Sequence, residues 1–214
     1  MQKMIGIYGA GGFGREVLPL VRAQYPDEQL CFIVDEAEEQ QANGCPVYTY
    51  QEYVDLAHTG KSVILAIGSS TAREALEAKC RQDHLDIASV TASSSIILDS
   101  VELGEGAILC HFTHLTSNIK IGKQFHANIY SYVAHDCVIG DYVTFAPNVH
   151  CNGNVHIEDH AYIGTGAIIK QGTSSKPLVI GKGAIVGMGA VVTKSVAAGV
   201  TVVGNPAKPL LRTT

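Results

Sequence analysis

Apolar residues recur every six positions through the middle of this chain, from Leu103 to Ile169. An amphipathic helix needs a period of about 3.6 residues and a flat strand a period of 2, so neither explains the pattern. A period of six is typical of a hexapeptide repeat, in which each repeat supplies a short strand and a turn of a parallel β-helix. The twelve positions are Leu103, Leu109, Leu115, Ile121, Ala127, Val133, Ile139, Phe145, Cys151, Ile157, Ile163 and Ile169.

This repeat predicts a triangular prism with about 18 residues in each coil. The apolar residue of each repeat should point into the prism. A glycine or another small residue should turn the corner, where φ is unusual. Each coil buries its core only against its neighbours, so the array extends in one dimension. The candidate corner glycines follow the apolar position directly, at Gly104, Gly122, Gly140 and Gly164.

The period breaks after Ile169. An unbroken frame would place the next core position at Ser175, but the apolar series resumes only at Ile180. Residues 171–177 therefore read as a loop that contains five inserted residues. Loops that leave a β-helix are common places for ligand contact, although a neutral insertion would give the same pattern. The polar, proline-containing end of the chain is expected to cap the last coil.

A different pattern precedes the repeat. Apolar strands are predicted at Met4–Tyr8, Leu30–Val34 and Val63–Ile67, and a helical pattern follows the first of them. A second helix is predicted over Thr71–Cys80, with Ala75, Leu76 and Ala78 on its inner side. The order indicates an α/β, Rossmann-like half-domain with a parallel sheet.

The first strand runs into a GxGxxG turn that opens a helix. Glycines let the backbone approach a pyrophosphate, and a helix N-terminus offers free N–H groups to it. An acidic pair follows the second strand, where a carboxylate can accept hydrogen bonds from a ribose or a base. The candidate nucleotide-binding residues are Gly9, Gly11, Gly12, Gly14, Asp35, Glu36, Gly68 and Ser69.

The half-domain is too short for a dinucleotide. About 85 residues precede the repeat, enough for one mononucleotide-binding half and not for two, which favours a nucleotide-diphosphate sugar over NAD. The seam lies around Asp86–Ser95, and we place the boundary between a nucleotide-sugar-binding domain, 1–88, and a β-helix domain, 89–214.

Composition limits the partners and the cellular compartment that we expect for this protein. The formal charge is −5 and no basic run is present, so nucleic acid is not an expected partner. The six cysteines contain no CxxC pair, which indicates reduced thiols in a cytoplasmic protein. No apolar run reaches about 18 residues, so no membrane span is expected, and the segment Met1–Glu16 does not resemble a signal peptide.

Together these segments resemble a known family. The hexapeptide repeats with the tail Val203–Leu210, the run Gly9–Val17, and the segments Ala66–Ser70, His135–Gly140 and Gly153–Val155 resemble the PglD/NeuD-like nucleotide-sugar acetyltransferases in order. That family includes the bacillosamine N-acetyltransferases and the sialic acid O-acetyltransferases. The resemblance implies a left-handed β-helix, a homotrimer, and acetyl-CoA bound in the groove between two subunits, where the active sites lie.

The resemblance also implies site residues. His135 is carried over as the catalytic base and Asp136 as its helper, although the family usually has Glu at the second position. Gly153 lies one full coil after His135, so the two should stack on one edge of the prism. The positions that match the acetyl-CoA groove are Thr144, Asn152, Gly153, Gly187 and Gly189. Cys137 is expected to be an inward-packed thiol and not a nucleophile.

The implied chemistry is direct acyl transfer with no metal. An amine of the sugar attacks the thioester while His135 removes its proton. The hypothesis is N-acetylation of the 4-amino group of a UDP-amino-sugar, as in the UDP-N-acetylbacillosamine pathway for glycan or surface polysaccharide synthesis. The alternatives are O-acetylation of the sialic acid type and a GDP- or dTDP-amino-sugar substrate. A non-catalytic nucleotide-sugar sensor on the same scaffold is a further alternative.

The other histidines of the repeat support a more remote alternative, a zinc lyase of the γ-carbonic anhydrase type. Four of them precede a core position directly. Since side chains alternate along a strand, these four should point outward into solvent. They are His114, His126, His150 and His156.

Overall fold

The computed structural model describes residues 3–57 and 60–210. Contacts divide the chain into two compact units, Met1–Ser93 and Ser94–Thr214. The elements of the first unit are β1 (Met4–Tyr8), α1 (Gly12–Gln24), β2 (Gln29–Val34), β3 (Gln41–Ala42), β4 (Cys45–Thr49), α2 (Tyr50–Asp55), β5 (Lys61–Leu65), α3 (Ser70–Gln82), β6 (Asp86–Ile87) and β7 (Val90–Thr91).

A six-stranded sheet forms the centre of the first unit, in the order β3-β4-β2-β1-β5-β6. All neighbours are parallel except the pair β3–β4. All five residues of β1 are buried, as expected for a central parallel strand that is covered on both faces. Because β1, β2 and β5 run in one direction, the residues that follow their carboxyl ends meet at one edge of the sheet.

Sequence analysis missed five elements of this unit, namely β3, β4, α2, β6 and β7. β3, β4 and α2 lie between the second and third predicted strands, where the pattern indicates only a loop. A signal for α2 is present in Thr49 and Glu52, which form a capping box in which each side chain bonds the other residue's backbone N–H. Pro19 lies inside α1 without ending it, since the helix continues to Gln24.

The predicted inner face of α3 is wrong for two of its three residues. Leu76 is partly buried against the core, but Ala75 and Ala78 are exposed, whereas Arg73 and Glu77 are buried. An apolar-face argument fails here because a buried arginine contributes to the packing. Its guanidinium group satisfies backbone carbonyls of the loop that precedes the helix.

The second unit is an array of short strands. Its strands are β8 (Ile96–Ile97), β9 (Val101–Leu103), β10 (Ile108–Leu109), β11 (His114–Leu115), β12 (Ile119–Ile121), β13 (His126–Ala127), β14 (Tyr132–Val133), β15 (Val138–Ile139), β16 (Thr144–Phe145), β17 (His150–Cys151), β18 (Val155–Ile157), β19 (Tyr162–Ile163), β20 (Ile168–Ile169), β21 (Leu178–Ile180), β22 (Ile185–Val186), β23 (Val191–Val192), β24 (Thr201–Val203) and β25 (Lys208–Pro209).

These strands stack into three faces. The first face contains β10, β13, β16, β19, β22, β24 and β25, the second β8, β11, β14, β17, β20 and β23, and the third β9, β12, β15, β18 and β21. Ile139 pairs with Ile157 one coil later, and Ile157 pairs in the same way with Ile180, although the chain between the second pair is longer. The difference is the five-residue insertion, so the loop leaves the array without disturbing its register. β25 returns antiparallel to β24 at the end of the first face.

The prism is filled by the predicted apolar series. Eleven of the twelve positions, Leu109 to Ile169, are buried, and Leu103 is partly buried. The rings of Phe125 and Phe145 pack edge to face in the core, with centroids 5.2 Å apart. Aromatic pairs in this arrangement stabilise a core by about 1 kcal/mol beyond the area that they bury.

The corners are not turned by the predicted glycines. Gly104, Gly122, Gly140 and Gly164 have ordinary φ angles, and a Cβ on any of them would lie 2.2–2.7 Å from an atom of the next coil. They are glycines because adjacent coils approach closely. The left-handed residue comes two positions later, mostly as a non-glycine, in the series Ser100, Gly106, Phe112, Asn118, Gln124, Tyr130, Asp136, Tyr142, Asn148, Asn154, His160 and Gly166.

Within the described ranges, none of the helices has the length and apolar character that a membrane crossing needs.

Two glycines of the nucleotide-type turn should respond oppositely to alanine. A Cβ on Gly14 would lie 1.7 Å from the carbonyl oxygen of Gly9, whereas a Cβ on Gly12 meets nothing within 4 Å. We expect Gly14→Ala to lower the free energy of unfolding by about 3 kcal/mol because α1 must move away from β1. Gly12→Ala should leave it unchanged or raise it by up to about 1 kcal/mol. Urea unfolding of both variants beside the unsubstituted protein measures this, and equal losses would contradict the packing argument.

Candidate active site

The edge between the second and third faces carries the predicted catalytic residue. His135 lies in the corner between β14 and β15, and Gly153 lies in the equivalent corner one coil later, between β17 and β18. A Cβ on Gly153 would lie 2.5 Å from Cε1 and 2.6 Å from Nε2 of His135. The imidazole therefore rests directly on the backbone of Gly153, the stacking that their one-coil spacing predicts.

Asp136 fixes the orientation of this ring. Its Oδ2 lies 2.7 Å from Nδ1 of His135, and the two side chains are 47% and 48% exposed. The hydrogen bond from His135 lowers the pKa of Asp136, and a bond from Asn118 at 3.4 Å lowers it further. Asp136 is thus a carboxylate at neutral pH, so Nδ1 of His135 is the donor of this bond, and the neutral form of the ring with that tautomer carries its lone pair on Nε2.

The backbone holds this pair in place. Asp136 has φ 58°, a left-handed conformation that Asp and Asn tolerate better than most residues. Its N–H donates to the carbonyl of Ser117 at 3.1 Å, and the carbonyl of His135 accepts from the N–H of Asn154 at 3.0 Å. The corner is therefore bonded to the coils on both sides.

Gly153 presents an unused donor beside the ring. Its carbonyl accepts from the N–H of Gly172, but its own N–H meets no acceptor within the described part of the chain. A free, rigidly held N–H next to a basic nitrogen is suited to bind an oxygen that gains negative charge.

Asn152 and Cys137 line the inner side of the same edge. The amide of Asn152 is occupied at both ends, since Oδ1 accepts from Tyr132 Oη at 3.0 Å and Nδ2 donates to Ile169 O at 2.7 Å. The Asn152 side chain therefore links neighbouring strands at this edge of the prism. The Cys137 thiol is 1% exposed and donates to Asn152 O at 3.2 Å, so it is packed inward as expected.

The remaining candidate acetyl-CoA residues lie elsewhere in the prism. Thr144 is on β16 of the first face, and Gly187 and Gly189 follow β22 at the corner between the first and second faces. Gly189 has φ 66° and open space around its Cβ position, whereas a Cβ on Gly187 would meet Val203 at 2.7 Å. The single chain does not bring these three residues to the edge that carries His135.

One expectation about the other histidines is wrong. His126 points away from the prism axis, yet it is 1% exposed, and its neighbour Ile108 on the same face is 0% exposed. Tyr162, farther along that face, is 41% exposed. Strand alternation gives the direction of a side chain but not whether that stretch of the face is covered. His114 is exposed as expected, and His150 and His156 are half-buried.

In the first unit, the glycine turn leaves room for a ligand. Gly9 has φ 107°, and Gly14 is required by close helix–strand packing. Gly11, Gly12 and Gly68 meet nothing within 4 Å of a Cβ position, so their backbone is open to an incoming group. Neither packing nor conformation explains these three glycines.

Asp35 and Glu36 lie beside the glycine turn, directly after β2. Asp35 is exposed, and its Oδ1 accepts a hydrogen bond from the buried Tyr8 hydroxyl at 2.5 Å. Burial and this bond to Asp35 raise the pKa of Tyr8 far above its usual value, so the phenol remains a donor. Glu36 lines a cleft of about 210 Å³ together with Ala10 and Arg15.

Sequence reasoning missed Arg73, whose buried side chain is hydrogen-bonded to the backbone of the loop that contains the candidate residues Gly68 and Ser69. It is 0% exposed, and its Nη1 donates to Ile67 O at 2.8 Å and to Gly68 O at 3.3 Å. Ser69 itself caps α3, since its Oγ accepts from Ala72 N at 3.3 Å. A charged residue five places after a glycine turn gives no periodic signal of this role.

Among the residues that the structure covers, no group of three or more His, Cys, Asp or Glu side chains is placed to hold a metal ion.

In comparisons with known proteins, each of the two parts of the chain matches a protein family. Residues 4–79 match the family described as the PglD N-terminal domain, and residues 118–153 match the bacterial transferase hexapeptide family, six repeats. A GDP-perosamine N-acetyltransferase of Escherichia coli O157:H7 is 45% identical over 214 residues, which cover 98% of this chain and 97% of that relative.

Two solved structures share the whole architecture. WeeI from Acinetobacter baumannii AYE matches with a TM-score of 0.96 at 62% identity, over 98% of this chain and 100% of that chain. The acetyltransferase domain of PglB from Neisseria gonorrhoeae FA1090, in complex with acetyl coenzyme A, matches with a TM-score of 0.88 at 25% identity, over 98% and 100%.

These matches confirm the predicted fold class, a Rossmann-like half-domain followed by a left-handed parallel β-helix. They also favour acetyl transfer over the zinc-lyase alternative, because the whole-length relative is an N-acetyltransferase. The chain belongs to the PglD-type family of nucleotide-amino-sugar N-acetyltransferases, as its motifs predict.

Proposed function

We propose that this enzyme transfers the acetyl group of acetyl-CoA to the 4-amino group of a UDP-linked amino sugar, as in the UDP-N-acetylbacillosamine pathway. The observation that carries the proposal is the contact between the His135 ring and the Gly153 backbone, with Asp136 bonded to the far side of the ring. Together they supply a base and an oxyanion donor at one point. The PglB domain, whose structure holds acetyl coenzyme A, supports the choice of acyl donor.

His135 acts as the general base. Asp136 accepts a hydrogen bond from Nδ1–H, so Nε2 is free to take a proton from the amine as its nitrogen attacks the thioester carbon. The C–N bond forms and the carbonyl oxygen becomes an oxyanion. When the C–S bond then breaks, the imidazolium returns its proton to the departing sulfur. Asp136 stabilises the imidazolium between the two steps.

Gly153 stabilises the oxyanion. Its N–H is already fixed by the coil and has no acceptor to give up within the described residues. Such a preorganised donor contributes about 3 kcal/mol when charge develops on the oxygen. The Cys137 thiol takes no part because it is buried and directed at a backbone carbonyl.

The first unit holds the nucleotide. The open backbone at Gly11, Gly12 and Gly68 and the N-terminus of α1 suit a diphosphate. Asp35 reads the base. Tyr8 occupies its Oδ1, and Oδ2 meets no donor within the described residues. Uracil offers one N–H on its pairing edge, for which Oδ2 is available, whereas guanine offers an N–H and an amino group side by side, for which Oδ1 would have to use its second lone pair.

A GDP-linked amino sugar is the second candidate substrate. The relative from Escherichia coli that is 45% identical over nearly the whole chain is a GDP-perosamine N-acetyltransferase. A guanine base would place two donors before Asp35, and Oδ1 would then accept from the base as well as from Tyr8. An O-acetyltransferase activity has less support, since N-acetyl transfer is the activity of that relative.

A homotrimer with active sites between subunits would complete the groove. Thr144, Gly187 and Gly189 lie on other faces and corners of one prism than His135. They could line the same acetyl-CoA groove only if a second copy of the chain supplied them. A closed three-fold ring of flat-sided prisms provides such grooves between neighbours.

Substitution of His135 tests the mechanism. His135→Ala should lower kcat/KM by about 10²–10⁴-fold because the amine loses its base. Asp136→Asn should lower it by about tenfold or more, since the amide neither fixes the tautomer of the ring nor stabilises the imidazolium. His114→Ala, an exposed histidine of the same unit, is the matched control and should leave the rate unchanged. Release of coenzyme A measures all three, and full activity of His135→Ala would refute the assignment.

The nucleotide is tested with UDP-, GDP- and dTDP-linked 4-amino sugars in the same assay. The UDP sugar should give the highest kcat/KM. Tyr8→Phe should lower the UDP-to-GDP preference by about fivefold, because it frees Oδ1 for the second donor of guanine at the scale of one hydrogen bond. Tyr50→Phe removes a similar bond, to Asp83, and is the control. A GDP preference in the unsubstituted enzyme would select the second candidate, and an unchanged ratio in Tyr8→Phe would refute the role of Tyr8.

A further inference from the structure

The loop inserted after Ile169 forms a cleft of about 470 Å³ with the following coil. The loop is held rigidly. Thr173 and Lys176 bond each other's backbone in both directions, at 3.1 and 3.0 Å. At its base, Gly172 N–H donates to Gly153 O at 3.0 Å, and a Cβ on Gly172 would lie 2.3 Å from Asn154 O. The insertion therefore adds a fixed wall to the prism.

Three lysines line this cleft, one directly before the inserted loop, one within it and one from the next coil. They are Lys170, Lys176 and Lys194, and all three are exposed. The lining contains no Asp or Glu, and none of the three ammonium groups pairs with a carboxylate of the described chain. Three unpaired cations in one cleft repel each other unless an anion joins them, and they stand out in a chain of formal charge −5.

The cleft lies on the same edge of the prism as His135. Corners between the second and third faces occur at His135, at Gly153 one coil on, at the inserted loop two coils on, and at Lys194 three coils on. Neighbouring strands of a sheet are about 4.8 Å apart. The lysines therefore lie about 10 to 15 Å along the edge from the base.

We propose that Lys170, Lys176 and Lys194 bind the phosphate groups of acetyl-CoA and so align its thioester with His135. The inference deepens the proposed function and rests on it. Acetyl-CoA carries its thioester at one end and its phosphates at the other, with the long pantetheine arm between them. A substrate of that shape fits an edge with a base at one point and a cationic cleft farther along. Lysine ammonium groups suit phosphates that stay partly hydrated.

Acetyl-pantetheine tests the inference because it has the same thioester and lacks the phosphates. Replacing all three lysines by alanine should raise the KM for acetyl-CoA by about tenfold or more, from several lost charge contacts. kcat and both parameters for acetyl-pantetheine should stay unchanged. Single Lys→Ala variants should each give a smaller rise, and Lys→Arg should restore binding. Added salt should raise the KM of the unsubstituted enzyme for acetyl-CoA only.

Lys120→Ala is the matched control, since Lys120 is an exposed lysine of the same unit that pairs with Glu102 outside the cleft. Three results would overturn the inference. These are an unchanged KM for acetyl-CoA in the triple variant, an equal rise for acetyl-pantetheine, and a rise in the KM for the nucleotide sugar instead. No turnover of acetyl-CoA by the unsubstituted enzyme would refute the proposed function itself, which separates the two failures.

Discussion

The β-helix unit depends on one backbone constraint, a left-handed residue at every sixth position. From Ser100 to Gly166 this conformation recurs without a gap, and the non-glycine members have φ between 55° and 61°. Each such residue costs about 1–2 kcal/mol when it is not glycine. The cost is offset because each corner lets strands on both sides join a ladder of identical register. Stacked rings on successive corners, as in Phe112 and Tyr130 at 5.1 Å, add contacts that a glycine corner would lack.

The candidate catalytic pair is a consequence of that constraint. Asp136 is itself a left-handed corner residue, with Asn118 one coil before it and Asn154 one coil after. The conformation turns its carboxylate back toward Nδ1 of the preceding residue, at 2.7 Å. An aspartate fits this position on two grounds, its tolerance of the left-handed region and its short reach. The sequence difference from the usual Glu of the family is therefore compatible with the helper role.

Sequence reasoning predicted the features that depend on the six-residue period. It missed the features that depend on which residues contact each other in the fold. The core series, the one-coil stacking of His135 and Gly153, and the insertion after Ile169 all follow from counting residues. The burial of His126 does not, because alternation sets a side chain's direction and not what covers the face. Arg73 was missed for a related reason, since a polar residue that bonds backbone carbonyls follows no periodic pattern. Residues on different faces of the prism, such as Thr144 and Gly189, could not be grouped from one chain.

The glycines show most clearly that the reason for a residue type at one position can require the structure. Gly14 is required because a carbonyl oxygen lies 1.7 Å from its Cβ position, and Gly153 because an imidazole lies there. Gly12 and Gly68 have open space and ordinary φ, so the fold gives no reason for them. A glycine that the fold does not need weakens the helix or loop that contains it. Such a residue is best explained by a group that approaches the backbone from outside, and both lie at the strand ends where a nucleotide diphosphate is expected.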